Sequence, residues 1–377
     1  MTALPSGTVR RWLFEQSLPV WSSVGMDPKG GFAEQLSLDG KPVPSPLRRM
    51  RVQGRQIYVF CHAAIEGWDG PARKAADAGL TFLTERYWHP DGGFIFALDT
   101  NGQVADGRRE TYEQAFALNA FAWHYRAFGD SAVLNWVHRT IEFLDEQLGA
   151  NNGGYRESIP DTLPRRQNPH MHLFEAMMSL YEATGDLKYR ARAASLYHLM
   201  REHFIDAATG TLGEFYTVDW KPAHGDKGTH LEPGHHYEWT WLLHHYAGLS
   251  GDASARDLAT TLYKFAFEHG TDTADALTYD AVGRDGAIRQ DSKRLWVQTE
   301  ALKGHLAMAE SGSDDQAMAR AELTLAGIFN CYLSTGHGVW QDHLRRDGTG
   351  FAKTAPATSF YHLYLAFSEY QRMACAT

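Results

Sequence analysis

The chain has 377 residues, 44% of them hydrophobic and 21% charged, enough for one large core or two ordinary ones. A net charge of −9 with a pI near 6.1 argues against nucleic acid or an acidic membrane surface as partner. No run approaches the roughly 18 apolar residues of a membrane helix, and the N-terminus, MTALPSGTVRRW, lacks the apolar stretch of a secretory signal.

Taken in chain order, the first element is a helix around Val9 to Val24, read as an outer partner for the last helix. A glycine-aromatic signal then recurs six times: Phe32 (GGFAEQLSLDG), Phe94 (GGFIFALDTNG), Tyr155 (GGYRES), Phe215 (LGEFYTVDW), Tyr279 (ALTYDAVGRDG) and Trp340 (GVWQDHLRRDG). These anchors follow one another after 62, 61, 60, 64 and 61 residues, longer than the roughly 33–47 of helical solenoid units. Each anchor is followed by a segment low in charge, such as EQAFALNAFAWHY, EWTWLLHHYAGL or SFYHLYLAF. A helix apolar on most sides belongs inside a large protein. Next comes an amphipathic, charge-bearing segment, such as SAVLNWVHRTIEFLDEQL or LKYRARAASLYHLMREHF, whose apolar residues recur at helical steps.

Buried helix then half-wet helix, six times over, predicts an all-α fold: an (α/α)6 barrel, a toroid of six helical hairpins. The repeat crosses every plausible cut, so residues 1–377 are expected to form one domain. Turns at Asp39-Gly40, Asn101-Gly102 and Asp347-Gly348 predict short β-hairpins at one mouth. Cys61, Cys331 and Cys375, odd in number and widely spaced, fit a reducing cytoplasm and form no metal pattern.

Counted from their anchors, Arg55, Glu113, His172, His235, Gln298 and His362 lie 23, 19, 17, 20, 19 and 22 residues on, each near the start of an inner helix. In a ring of parallel inner helices those starts converge on one mouth, where helix N-termini also favour an anion. With 19 histidines in the chain most are ordinary, but three stand out. His235 follows Pro233-Gly234 and precedes Glu238 by three residues, one helical face, so Glu238 is expected to hold its tautomer. His362, in ATSFYHLYLAF, is the only group that titrates near neutral pH in an otherwise apolar and aromatic segment. His172 shares a face with Asn168 and Glu175. Arg55, entering an apolar helix, is either a salt bridge between hairpins or an electrophile for a developing oxyanion; Arg51 is a weaker version. Tyr112, Phe116, Trp239 and Trp296 are core residues or flat faces for a sugar ring.

No HExxH and no cysteine-histidine cluster occurs, and His170-His172 spacing is poor for chelation, so no metal is expected. Neither a Walker loop nor GxGxxG follows a strand, so no cofactor is expected either. Two unliganded imidazoles beside an arginine suit removal of the hydrogen next to an aldehyde carbon. Returning that proton to C1 of the enediolate gives a ketose; returning it to C2 from the other face gives the epimer.

RVQGRQIYVF, YEQAF, NPHMHLFEA, PGHHYEW, RLWVQTEALK and ATSFYHLY, in this order from about Trp12 to Tyr370, resemble the N-acylglucosamine 2-epimerase superfamily. The resemblance implies metal-independent epimerisation or isomerisation of a monosaccharide, with a homodimer common. It makes His235 and His362 the acid/base pair, with His236 the neighbouring alternative, and Glu238 the support of His235. It puts Arg55 on the oxygens around C1 and C2 and makes Asn168, His172 and Glu175 a sugar-contacting face. RLWVQTEALK, carrying Trp296, Gln298 and Glu300 as further substrate contacts, is similar to the mannose isomerase branch, although Val297 stands where that branch commonly has proline. The expectation is D-mannose/D-fructose isomerisation, with D-lyxose/D-xylulose beside it. The alternatives are a 2-epimerase on mannose/glucose, N-acylglucosamine or cellobiose, a glycoside hydrolase using Glu113, Glu175, Glu238 or Glu300, and a non-catalytic sugar binder. Asp342, His343, Arg345 and Arg346 form a loop read as solvated, or as a phosphate or sulfonate contact.

Overall fold

The computed structural model describes Pro5 and residues 7–374. The chain enters through α1 (Thr8–Arg11), a π-helical turn and α2 (Leu18–Trp21). Hairpins follow: α3 (Met50–Ile65) with α4 (Ala72–Arg86), α5 (Thr111–Phe128) with α6 (Val133–Phe143), and α7 (Asn168–Thr184) with α8 (Leu187–Leu199). After the short α9 (Asp226–Thr229) come α10 (Pro233–Ser250) with α11 (Ser254–Gly270), α12 (Leu295–Glu310) with α13 (Ala317–Gly327), and the last helix, α14 (Thr358–Ala374). α3, α5, α7, α10, α12 and α14 form the inner ring, each packed on the next, and α14 closes on α3. The opening segment is the outer partner of α14, as its sequence predicts. Trp12 meets Phe367 edge-on at 5.7 Å, and Trp21 stacks on Trp340 at 5.1 Å.

The periodicities explain the two rings. In α6 Val133, Val137, Thr140 and Phe143 are buried at three- and four-residue steps, while Asn135, His138 and Arg139 face water. In α5 every residue from Thr111 to Ala122 is buried, because both faces have neighbours. α5, α7 and α10 stop at Gly129, Gly185 and Gly251, each left-handed, a conformation glycine adopts at no steric cost. Inside the ring α3 touches α5 backbone to backbone: a Cβ on Gly54 would lie 2.8 Å from the Phe116 carbonyl oxygen.

A side chain near the start of each of five inner helices clamps the loop before it. Gln53, Gln114 and Gln298 each accept from and donate to one backbone unit, at Phe32, Phe94 and Thr278. His170 and His236 accept from the N–H groups of Tyr155 and Leu212 at 2.9 and 3.1 Å, their other nitrogens donating to backbone carbonyls. The fourth repeat is therefore anchored at Leu212, not Phe215. Phe215 lies in a strand pairing with Arg166.

The β-structure corrects the hairpin expectation in one respect. Most strands bind neighbouring repeats together: 48–49 pairs with 97–98, 109–110 with 158–159, 165–166 with 215–216, 230–231 with 281–283, and 293–294 with 343–344. The pairing of 35–37 with 354–356 closes the circle. These ribbons fix the six helix starts relative to one another at one mouth.

Candidate active site

Two residues past the clamp is about 200° round the helix, which turns a side chain from its loop toward the barrel axis. Arg55, Phe116, His172, Glu238 and Glu300 hold that position after Gln53, Gln114, His170, His236 and Gln298. His362 joins them from α14. All six are buried.

His235 and His362 meet at one indole. Their ring centroids lie 5.1 and 5.7 Å from that of Trp296, which is half-buried at the mouth. Gly234 makes room, since a Cβ there would stand 2.7 Å from the Trp296 ring. His236 is fully buried and spent on its clamp, so of the adjacent pair it is His235 that faces the bowl.

Glu238 does not hold His235. The Nδ1 of His235 pairs with Glu214 at 2.9 Å, and Glu238 has no hydrogen bond among the described residues. Sharing a helical face brings Glu238 near, but Glu214 reaches the ring from the preceding loop along the plane of the imidazole's N–H. Burial opposes a charge on His235; the carboxylates of Glu214 and Glu232 outweigh it and raise the ring to about 9. The protonated ring donates from both nitrogens. Asn168 stands 2.9 Å from Nε2, and a half-turn of its amide brings its otherwise unpartnered Oδ1 to that N–H.

His362 is opposite in character. Burial, reinforced by Arg55, Lys303 and His172, pushes it well below the ordinary imidazole value, so it is neutral. Its Nδ1–H donates to Glu300 at 2.7 Å. Its Nε2 has no protein partner among the described residues. Arg55 lies alongside: it donates to the Tyr112 hydroxyl at 2.8 Å and to the Thr358 carbonyl at 3.3 Å, and its guanidinium covers the Phe116 ring at 4.3 Å. Among the described residues it has no carboxylate partner, and its Nε is buried without any. A buried, unneutralised guanidinium is costly and is stabilised by an anion arriving from outside. The salt-bridge reading of Arg55 is therefore set aside.

Three further expectations need correction. Gln298 is spent on its clamp at Thr278 and does not reach the bowl, because its side chain turns to the loop rather than the axis. Both oxygens of Glu175 are taken, by His172 at 3.0 Å and by the Tyr361 hydroxyl, so it orients His172 rather than meeting a sugar. Glu300 is likewise occupied, between His362 and Lys303, the latter 2.7 Å away.

Ligand atoms of Glu238, Glu300 and His362 lie within 4.8 Å of one another, a spacing a metal ion would accept. The buried Lys303 ammonium already supplies the cation of that cluster, so the residues suit a metal poorly. Burial and the adjacent Glu300 raise Glu238 well above the carboxylate range. Burial raises Glu300 too, against the pull of Lys303. With cation and donor both on Glu300, the proton of the pair rests on Glu238.

Two cavities flank this core. One of about 400 Å³ lies at the same mouth, between Arg51, Arg108, Arg166 and Lys227, with Glu110 and Glu157. Arg51 covers the Tyr112 ring at 4.4 Å, so this cavity adjoins Arg55 through Tyr112. The other, about 1440 Å³, opens at the C-terminal ends of the inner helices and reaches Glu175 but not His235, His362 or Arg55. Among the described residues no helix is long and apolar enough to cross a membrane.

Six helical hairpins closed in a ring, with His235, His362 and Arg55 gathered at one mouth, make an α/α toroid. Residues 30–366 match the N-acylglucosamine 2-epimerase (GlcNAc 2-epimerase) family, and the chain belongs to it, a family of sugar epimerases and isomerases. It is 36% identical to the mannose-6-phosphate isomerase of Rhizobium meliloti, over 97% of this chain and 96% of that one. It is 26% identical to the D-mannose isomerase of Marinomonas mediterranea, over 90% and 89% of the two chains. A crystal structure of a D-mannose isomerase superposes with a TM-score of 0.90 at 23% identity, covering 98% of both chains.

Proposed function

We propose that the protein is an aldose-ketose isomerase interconverting D-mannose and D-fructose, with D-lyxose and D-xylulose as a side pair, by proton transfer through an enediolate. The observation that carries this is the pairing of a neutral imidazole with a buried guanidinium that has no counter-charge. In the open-chain aldose, Nε2 of His362 takes the proton from C2, the C2–H electrons form the C1–C2 double bond, and the carbonyl electrons move to O1. Arg55 and the imidazolium of His235 receive the charge that develops there, the group of interactions that does most for such a step. His235 gives its Nε2 proton to O1, His362 returns its proton to C1, the O2 proton passes to the now neutral His235, and the ketose forms. Asn168 and His172 meet hydroxyls, and Trp296 offers its face to the sugar. The hydrolase reading is not favoured, because Glu113 is bound to Arg51, while Glu175 and Glu300 are held as described.

A second reading keeps the reaction and adds a 6-phosphate to the substrate. The 36% relative carries that substrate in its name, and in the cavity beside Tyr112 three arginines converge on Glu110, each also paired with a second carboxylate, Glu113, Asp106 or Glu157, with Lys227 beside them. Assay of purified protein with D-mannose and D-mannose 6-phosphate, reading ketose and glucose products, tests both. Ketose from mannose supports the first reading; ketose from the phosphate alone supports the second. Glucose or its phosphate as sole product makes the protein a 2-epimerase.

A further inference from the structure

Beneath the bowl, α12 carries a lysine whose position the proton transfer described above does not explain. Lys303 is 1% exposed, its ammonium lies 2.7 Å from Glu300 Oε2, and it sits 4.6 Å from the centroid of the Trp241 ring. Glu300 Oε1 in turn accepts from Nδ1 of His362. Lysine is almost never buried this deeply without a specific partner. We propose that Lys303 is a positioning residue: it holds Glu300 as a carboxylate, and Glu300 thereby fixes His362 in the tautomer whose Nε2 lone pair faces the substrate. The proposal rests on His362 being the base.

The need for the cation follows from the groups around His362. Glu300 and Lys303 approach from α12, Arg55 from α3, His172 and Glu175 from α7, Glu238 from α10, and Tyr361 from its own helix. Three glutamates so placed in a dry interior take up protons unless a cation opposes it. A protonated Glu300 donates to Nδ1 instead of accepting from it. The imidazole proton then moves to Nε2, and the lone pair that removes the C2 hydrogen is lost. The ammonium lies off the hydrogen-bond direction of Oε2, so the pair acts by charge rather than by a shared proton. That geometry makes charge, more than shape, the property to conserve at this position.

The test compares Lys303→Met, Lys303→Arg and wild type for kcat, KM and the pH dependence of kcat on the preferred sugar. Loss of the charge is expected to lower kcat about 10–100-fold, the range found when a ligand-orienting partner is removed, with KM little changed. The acid limb of the kcat profile should move to higher pH, because Lys303 is one of the cations that keep His362 neutral. Lys303→Arg should keep the wild-type limb. Wild-type kcat and limb in Lys303→Met overturn the proposal, as does an equal loss in both variants with the limb unmoved. If Lys303→Met fails to fold, the wild-type protein decides: the ¹⁵N shifts of His362, assigned against His362→Asn, should report the Nδ1–H tautomer, and an Nε2–H tautomer overturns the proposal. A dead His362→Asn beside a fully active Lys303→Met removes this inference alone. An active His362→Asn removes the proposed function with it.

Discussion

Replacing Glu214 by glutamine probes the acid half of the site. The amide keeps an oxygen to accept from Nδ1–H of His235 but removes the charge that, with Glu232, holds the ring at about 9. Without it burial is opposed chiefly by Glu232, and the ring falls from about 9 toward the ordinary 6.5. A ring that reaches 6.5 has its imidazolium fraction at pH 8 cut from about nine-tenths to about one-thirtieth, a loss of up to roughly 30-fold in a step that needs it, whereas near pH 6 the loss is less than about twofold. Initial rates of ketose formation from about pH 6 to about pH 9 read this directly. The alkaline limb of Glu214→Gln should move to lower pH, and by more than that of Glu238→Gln, because Glu214 touches the ring and Glu238 does not. The same linkage acts on stability. His235 is raised on folding, so its contribution, about 3 kcal/mol at most, is present below about pH 6.5 and lost as pH rises through about 9. An unchanged alkaline limb in Glu214→Gln, or a shift produced by Glu238→Gln instead, would refute the reasoning.

His362→Asn should retain the fold, by circular dichroism, and lose ketose formation by at least about a hundredfold, the scale of one general base. Gln298→Leu should leave kcat and KM of the folded protein unchanged while lowering stability by about 1–3 kcal/mol in urea melts, because the Thr278 backbone loses both its partners. Burial lowers His62 and His305 to about 3 and His170 and His236 to about 4. Their contribution is complete above about pH 6.5 and lost as pH falls toward 4 for the clamps and toward 3 for His62 and His305, so the melting temperature should drop across that window and recover in part in His→Gln variants at the clamps. Activity should survive exhaustive dialysis against a chelator, since Lys303 supplies the cation of the Glu238–Glu300–His362 cluster; loss restored by a divalent metal would count against that assignment.

The ring was legible because two periods run through the sequence at once: helical steps within segments and a repeat of about 61 residues between them. The inter-repeat strands were not. Two-residue pairings carry no alternation to read, and a turn such as Asp39-Gly40 looks the same whether its flanks pair with each other or with the next repeat. At the site, side chains of one helix were well placed by phase, hence His235, His362 and Arg55 at one mouth. Partners from different elements were not: Glu214, from the preceding loop, pairs with His235 where the shared helical face pointed to Glu238. A signal existed: Glu34, Glu157, Glu214, Asp280 and Asp342 each lie two residues past the true anchors Phe32, Tyr155, Leu212, Thr278 and Trp340. In four repeats that carboxylate accepts from the backbone N–H entering the inner helix, and in the fourth repeat the second oxygen of Glu214 also takes His235. Gln298 misled because clamp and axial residues are only two positions apart, a difference smaller than the scatter of the anchors.

Proton transfer at C2 is most directly seen by incubating the protein with D-mannose, and separately its 6-phosphate, in heavy water and following ¹H NMR. Ketose formed by wild type and by neither His362→Asn nor His235→Asn, carrying deuterium at C1 to the extent that the His362 proton exchanges with solvent before its return, is the expected result. Sugar that remains unchanged and unlabelled in both incubations would contradict it.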